Sequence, residues 1–80
     1  MKIPRDLSGL ELAKSLKAFG YEKTRQDGSH IRLTTQKDGQ HHVTVPNHSP
    51  VRLGTLRSIL KLVADHHHLT LEALVETLDF

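Results

Sequence analysis

Eighty residues with 4% aromatic content make one small domain, spanning 1–80, with no room for a second core. The absence of cysteine excludes a disulfide framework and thiolate zinc sites, so packing or a partner must supply stability. A formal charge of +2, with seven histidines that add charge below neutrality, biases the surface mildly toward anionic partners.

The first helix begins near Ser8, where Ser8 and Glu11 have the spacing of a capping box, and Gly20 stands where it would terminate. Leu10, Ala13 and Leu16, with Leu12 and Phe19, form its apolar stripe. Three strands follow: Tyr21 to Gln26, Ser29 to Gln36, and His41 to Val45. Asp27-Gly28 and Asp38-Gly39 are tight-turn signals between them, and Pro46 ends the third strand because proline cannot donate to a ladder. A helix is predicted from about Thr55 to Asp65 with Thr55 as N-cap, and a last helix from Thr70 to Leu78. The order gives an α+β fold of two layers, with helices on one face of an antiparallel meander.

Strand parity sorts the side chains. Ile31 and Leu33, with Val43 and Val45, share the face that helices should cover. His30, Arg32 and Thr34, with His42 and Thr44, fall on the open face. His30 would therefore project toward solvent, with Arg32 two residues along and Arg25 across the hairpin. Attack of a ribose 2′-hydroxyl on its own phosphate requires no metal. It requires a proton-transfer group near the hydroxyl or the leaving oxygen, and positive charge on the phosphate. The plain alternative is an exposed histidine at a strand start, beside a glycine that a turn requires.

The Val45-Pro46-Asn47-His48 segment offers His48 as a second proton-transfer group or phosphate contact, or simply as a loop histidine; His42 competes for the same role. Arg52 and Arg57 surround a helix start, and Arg57 and Lys61 share one helix edge, either as a phosphate-tracking surface or as a solvated charged face. His66-His67-His68 is a poor metal site, because consecutive helical residues point in different directions. No metal or other cofactor is expected. No apolar run approaches the ~20 residues of a membrane span. The first six residues also lack a signal-peptide core, so a cytoplasmic location is expected.

With these residues in place, the chain resembles the HicA family of toxins from toxin–antitoxin pairs. The resemblance covers Leu10 to about Leu62. It rests on Gly20-Tyr21, Arg25-x-x-Gly28-Ser29-His30, Val45-Pro46-x-His48 and Gly54-Thr55-Leu56-x-x-Ile59-Leu60-Lys61, in that order. Asp65 to Phe80 extends beyond a minimal family member. The resemblance implies a fold like a double-stranded-RNA-binding domain, α-β-β-β-α, here with an extra C-terminal helix. It also implies messenger-RNA cleavage with His30 as the catalytic residue, and neutralisation by a HicB-type antitoxin. Around His30, the expected RNA contacts are Arg25, Gly28, Ser29, Arg32, His48, Arg57 and Lys61. The rival reading is a non-catalytic module that grips double-stranded RNA by shape and phosphate contacts. A third reading has the last helix dock a partner through Leu71, Leu74, Val75 and Leu78, although the plainer account of that stripe is ordinary core.

Overall fold

A capping box starts the first helix, α1 (Gly9–Ser15). The Glu11 amide donates to Ser8 Oγ at 3.1 Å, and the Ser8 amide donates to Glu11 Oε1 at 3.0 Å. Such a cap contributes roughly 0.5–2 kcal/mol. The chain tightens into a 3₁₀ turn over Leu16–Phe19 and leaves it at Gly20, whose φ of 81° suits glycine. The computed structural model describes residues 2–78 and 80.

Three antiparallel strands follow in the order β1 (Glu22–Asp27), β2 (His30–Thr35) and β3 (His41–Pro46), and then two helices, α2 (Leu53–His66) and α3 (Leu71–Leu78). This is the expected α+β, α-β-β-β-α architecture of a double-stranded-RNA-binding-domain-like fold, with its extra C-terminal helix. In β2 and β3, Ile31, Leu33, Val43 and Val45 are buried while His30, Arg32, His42 and Thr44 are exposed, as strand parity predicts; Thr34, expected on the open face, is instead buried, its hydroxyl bonded to Thr24 and His42. Every residue of β1 is exposed, and a bulge between Lys23 and Arg25 interrupts its pairing with β2. Charged side chains and a bulge both discourage pairing of this open edge with another chain.

Two further expectations are corrected. Leu10 is 61% exposed, because at 100° per residue it stands on the far side of α1 from Leu12, which with Leu16 and Phe19 enters the core. The second helix starts at Leu53 rather than Thr55, with Arg52 as an N-cap that makes no side-chain cap bond. Val51 decides that start: it is buried and its amide donates to the Leu7 carbonyl at 2.8 Å, so the chain turns upward immediately after it. The plain reading of the last helix holds: Leu74 and Val75 are buried in the main core with Leu71 and Leu78 packed against it, so this stripe serves the chain's own interior. Thr70 caps α3 by accepting from the Ala73 amide at 3.0 Å.

At the far end of the sheet, the three consecutive histidines diverge. The His66 Nε2–H is shared between the carbonyls of Lys37 and Gly39, at 3.1 and 2.9 Å. His67 is buried, with Nδ1 3.1 Å from Asp38 and Nε2 3.2 Å from the Tyr21 hydroxyl, which also meets His41 Nδ1 at 2.7 Å. His68 takes a φ of 58° at the helix end. The His41 and His66 rings stack with centroids 4.3 Å apart. Burial pushes the Tyr21 phenol up to about 12, so it stays protonated and serves both imidazoles.

Two groups of this network make stability depend on pH with the same sign. The His67 hydrogen bond holds Asp38 below its ordinary value of 3.8. Burial, and then the nearby His66, hold His41 below its ordinary 6.5. In both cases the unfolded chain takes up the proton first as pH falls. The His41 contribution is therefore full above pH 6.5 and is lost as pH drops through its folded value. The Asp38 contribution is full above 3.8 and is lost below it. Urea midpoints should be flat above pH 7 and decline from pH 6.5 downward. His41→Gln should flatten the first stage of that decline, and an unchanged slope would show that His41 does not cause it.

Candidate active site

The Asp27-Gly28-Ser29-His30 segment forms a two-residue hairpin connection between β1 and β2, with Asp27 opposite His30. Gly28 has a φ of 56°, and an added Cβ would meet nothing within 4 Å. Backbone conformation, not space, therefore requires glycine. Gly28→Ala should cost about 1–2 kcal/mol for the left-handed conformation. Gly28→Asn should recover part of that loss, since asparagine tolerates this region better. Melting temperatures of the two variants check it; equal melting of alanine variant and wild type would sink it.

His30 then opens β2 on the uncovered face of the sheet, opposite Pro46 on β3. The Val45-Pro46-Asn47-His48 segment is joined to this turn through the backbone: the Asn47 amide donates to the Ser29 carbonyl at 2.6 Å. A second bond fixes the same segment from below, where the Gly9 amide donates to the His48 carbonyl at 2.9 Å. The result is an open cleft of about 370 Å³ lined by His30, Thr44, Pro46, His48, Arg52 and Thr55. That volume suits a small polar ligand such as one nucleotide unit. Because α2 starts two residues earlier than expected, Thr55 lies in its first turn and lines this cleft, with Arg52 just ahead of the helix.

The other anticipated residues are distributed over several surfaces. Arg32 pairs with Thr44 on one side and Arg25 on the other, so this cationic row is adjacent to the cleft on the same sheet face. Arg25 is partly neutralised by Asp27, with Nε to Oδ2 at 3.0 Å. His42 is held away from His30. It lies ~13 Å along the strand from the Pro46 level, and its Nδ1 is 2.7 Å from the Thr34 hydroxyl, which in turn meets that of Thr24 at 2.8 Å. Arg57 lines a different cleft with Ile3, Arg5, Leu53 and Gly54. Lys61 is exposed one helical turn further along α2.

A model of the HicA toxin of bacterial toxin–antitoxin systems matches residues 9–63, well over half the chain. The chain belongs to the HicA toxin family. Comparison with curated proteins and with solved structures returns no match. As a HicA toxin it is one half of a toxin–antitoxin pair, and an antitoxin partner follows from that membership. The matched segment of this HicA chain holds every residue lining the cleft, from His30 to Thr55, and the Gly9 whose amide supports His48. Among the described residues no helix is long and apolar enough to cross a membrane. Nor do the described residues include a group of three or more His, Cys, Asp or Glu arranged for a metal ion.

Sequence reasoning missed Gly9 and Asn47, which act only through backbone groups. An added Cβ on Gly9 would run into the Pro46 carbonyl, so the start of α1 sits directly under the His48 segment. Nothing in the sequence marks that close approach except a glycine immediately after a helix cap. The link between the Gly28 turn and the Pro46 segment is invisible for a similar reason, since any residue but proline supplies an amide at position 47.

Proposed function

We propose that this chain is a ribonuclease toxin that cuts messenger RNA without a metal ion, with His30 as a general acid or base. The observation that carries this reading is the shared cleft, where His30, exposed on the uncovered sheet face, meets His48 from the segment after β3 and Arg52 from the start of α2. Among the described residues no carboxylate lines the cleft. Its side chains are suited to moving protons and balancing phosphate charge. The ribose 2′-hydroxyl attacks the adjacent phosphorus, the P–O5′ bond breaks, and His30 gives or takes a proton at one of those two oxygens. Arg32 and Arg25 hold neighbouring phosphates, Gly28 and Ser29 form the turn that presents His30, and His48 and Arg52 face the reacting phosphate. Arg57 and Lys61, on the α2 edge, contact the strand further away. The 80 residues act as one toxin domain in the cytoplasm, and a HicB-type antitoxin neutralises it.

The test is incubation of purified protein with a transcribed messenger RNA in excess chelator. Discrete cut products are expected. RNA that is retained, salt-sensitively, but never cut would replace this reading with that of a double-stranded-RNA-binding module.

A further inference from the structure

We propose that His30 and His48 form a general acid–base pair acting on one phosphate, with Arg52 supplying its counter-charge. The fragments would then end in a 2′,3′-cyclic phosphate and a 5′-hydroxyl. This rests on the ribonuclease reading above and says how the site completes its reaction. Attack by the 2′-oxygen and departure of the 5′-oxygen occur on opposite sides of phosphorus, so one imidazole cannot serve both at the same moment. Two proton-transfer groups reaching the phosphate from different directions are needed. The cleft provides them from separate elements: His30 from the first position of β2, and His48 from the segment that follows β3.

Three further observations fit the pair. Among the described residues neither imidazole has a hydrogen-bond partner, whereas the His41, His42, His66 and His67 rings are all engaged. Both backbones are held relative to each other, through Asn47 N–H to Ser29 C=O and Gly9 N–H to His48 C=O. Arg52 lines the same cleft and has no ion-pair partner among the described residues, in contrast to Arg25. The charged groups around the pair are Arg52 within the cleft, Arg32 on the sheet face, and Asp27 opposite His30, itself bound by Arg25.

The step balances without a co-reactant. One histidine, neutral, takes the 2′-hydroxyl proton as the new O2′–P bond forms. The other, protonated, delivers its proton to O5′ as the P–O5′ bond breaks. The pair ends in exchanged protonation states and is reset by solvent.

The experiment compares wild type, His48→Gln and His30→Ala on an oligoribonucleotide spanning a mapped cut site. A second substrate carries sulfur in place of the bridging 5′-oxygen of the cut bond. Wild-type kcat/KM should be bell-shaped in pH, and His48→Gln should lose one limb along with about 10²-fold in rate. A thiolate leaves without protonation, so the sulfur substrate should rescue one of the two variants only, and that variant identifies the acid. Arg52→Gln should lower the rate without altering the limbs. A His48→Gln variant that cuts at the wild-type rate, or rescue of neither variant, overturns the pair while leaving His30 in place. If His30→Ala also cuts normally, His30 leaves the mechanism and the pair falls with it; only RNA that the wild type never cuts overturns the ribonuclease reading itself.

Discussion

His30→Ala is expected to cut RNA roughly 10²–10⁴-fold more slowly than wild type, the range that a positioned proton-transfer group contributes. Its melting temperature should be unchanged. His30 is exposed and makes no side-chain hydrogen bond among the described residues, so its removal leaves neither a cavity nor an orphaned partner. Surface substitutions of this kind stay within about 0.5 kcal/mol. Loss of cutting with an intact melt therefore assigns the effect to chemistry. A folded variant that cuts at the wild-type rate would remove His30 from the mechanism.

The second large effect is expected far from solvent, at Gly9→Ala. The new methyl would collide with the Pro46 carbonyl oxygen and come within 3.0 Å of its carbon and 3.1 Å of Asn47 Cα. These are backbone atoms that cannot rotate aside, so either α1 or the Pro46–His48 segment must shift. Overpacking of this kind costs ~1–3 kcal/mol, and in a domain this small each kcal/mol lowers the melting temperature by roughly 4–8 °C. Activity should fall further than stability alone explains, because a displacement near 1 Å at a catalytic group can cost ~10²-fold. The control is Gly54→Ala, where an added Cβ meets nothing within 4 Å. Glycine inside a helix costs about 0.5–1 kcal/mol relative to alanine, so that variant should be more stable than wild type. Rates measured well below both melting temperatures separate the two cases. Wild-type rate and melting in Gly9→Ala would show that the segment tolerates the intrusion.

Local rules carried much of the architecture. The Ser8–Glu11 box, the Gly20 exit, both hairpin turns and the alternation along β2 and β3 each follow from neighbours in sequence. These signals placed His30 and Arg32 on the open face correctly. What escaped were features decided across the fold. Thr55 was a reasonable N-cap by residue type, but burial of Val51 starts the helix earlier and places the Thr55 side chain in the cleft. His42 and His48 were indistinguishable as partners of His30, because parity does not measure distance along a strand. Only the register places Pro46, and therefore His48, beside His30. Tyr21 carried a family-like signature but no sign that its hydroxyl joins His41 to His67.

That last network has a consequence for where this toxin ends. The matched family segment stops at residue 63, yet His66 and His67 clamp the β2–β3 turn, and Leu74 and Val75 fill the same interior as the sheet. Trimming the protein to the portion that its relatives make recognisable would strip an apolar lining from α2 and leave the Tyr21 hydroxyl and Asp38 without His67. In this member the piece that identifies the family is smaller than the piece that folds. The segment from His66 to Leu78 belongs to its foundations rather than to its working end.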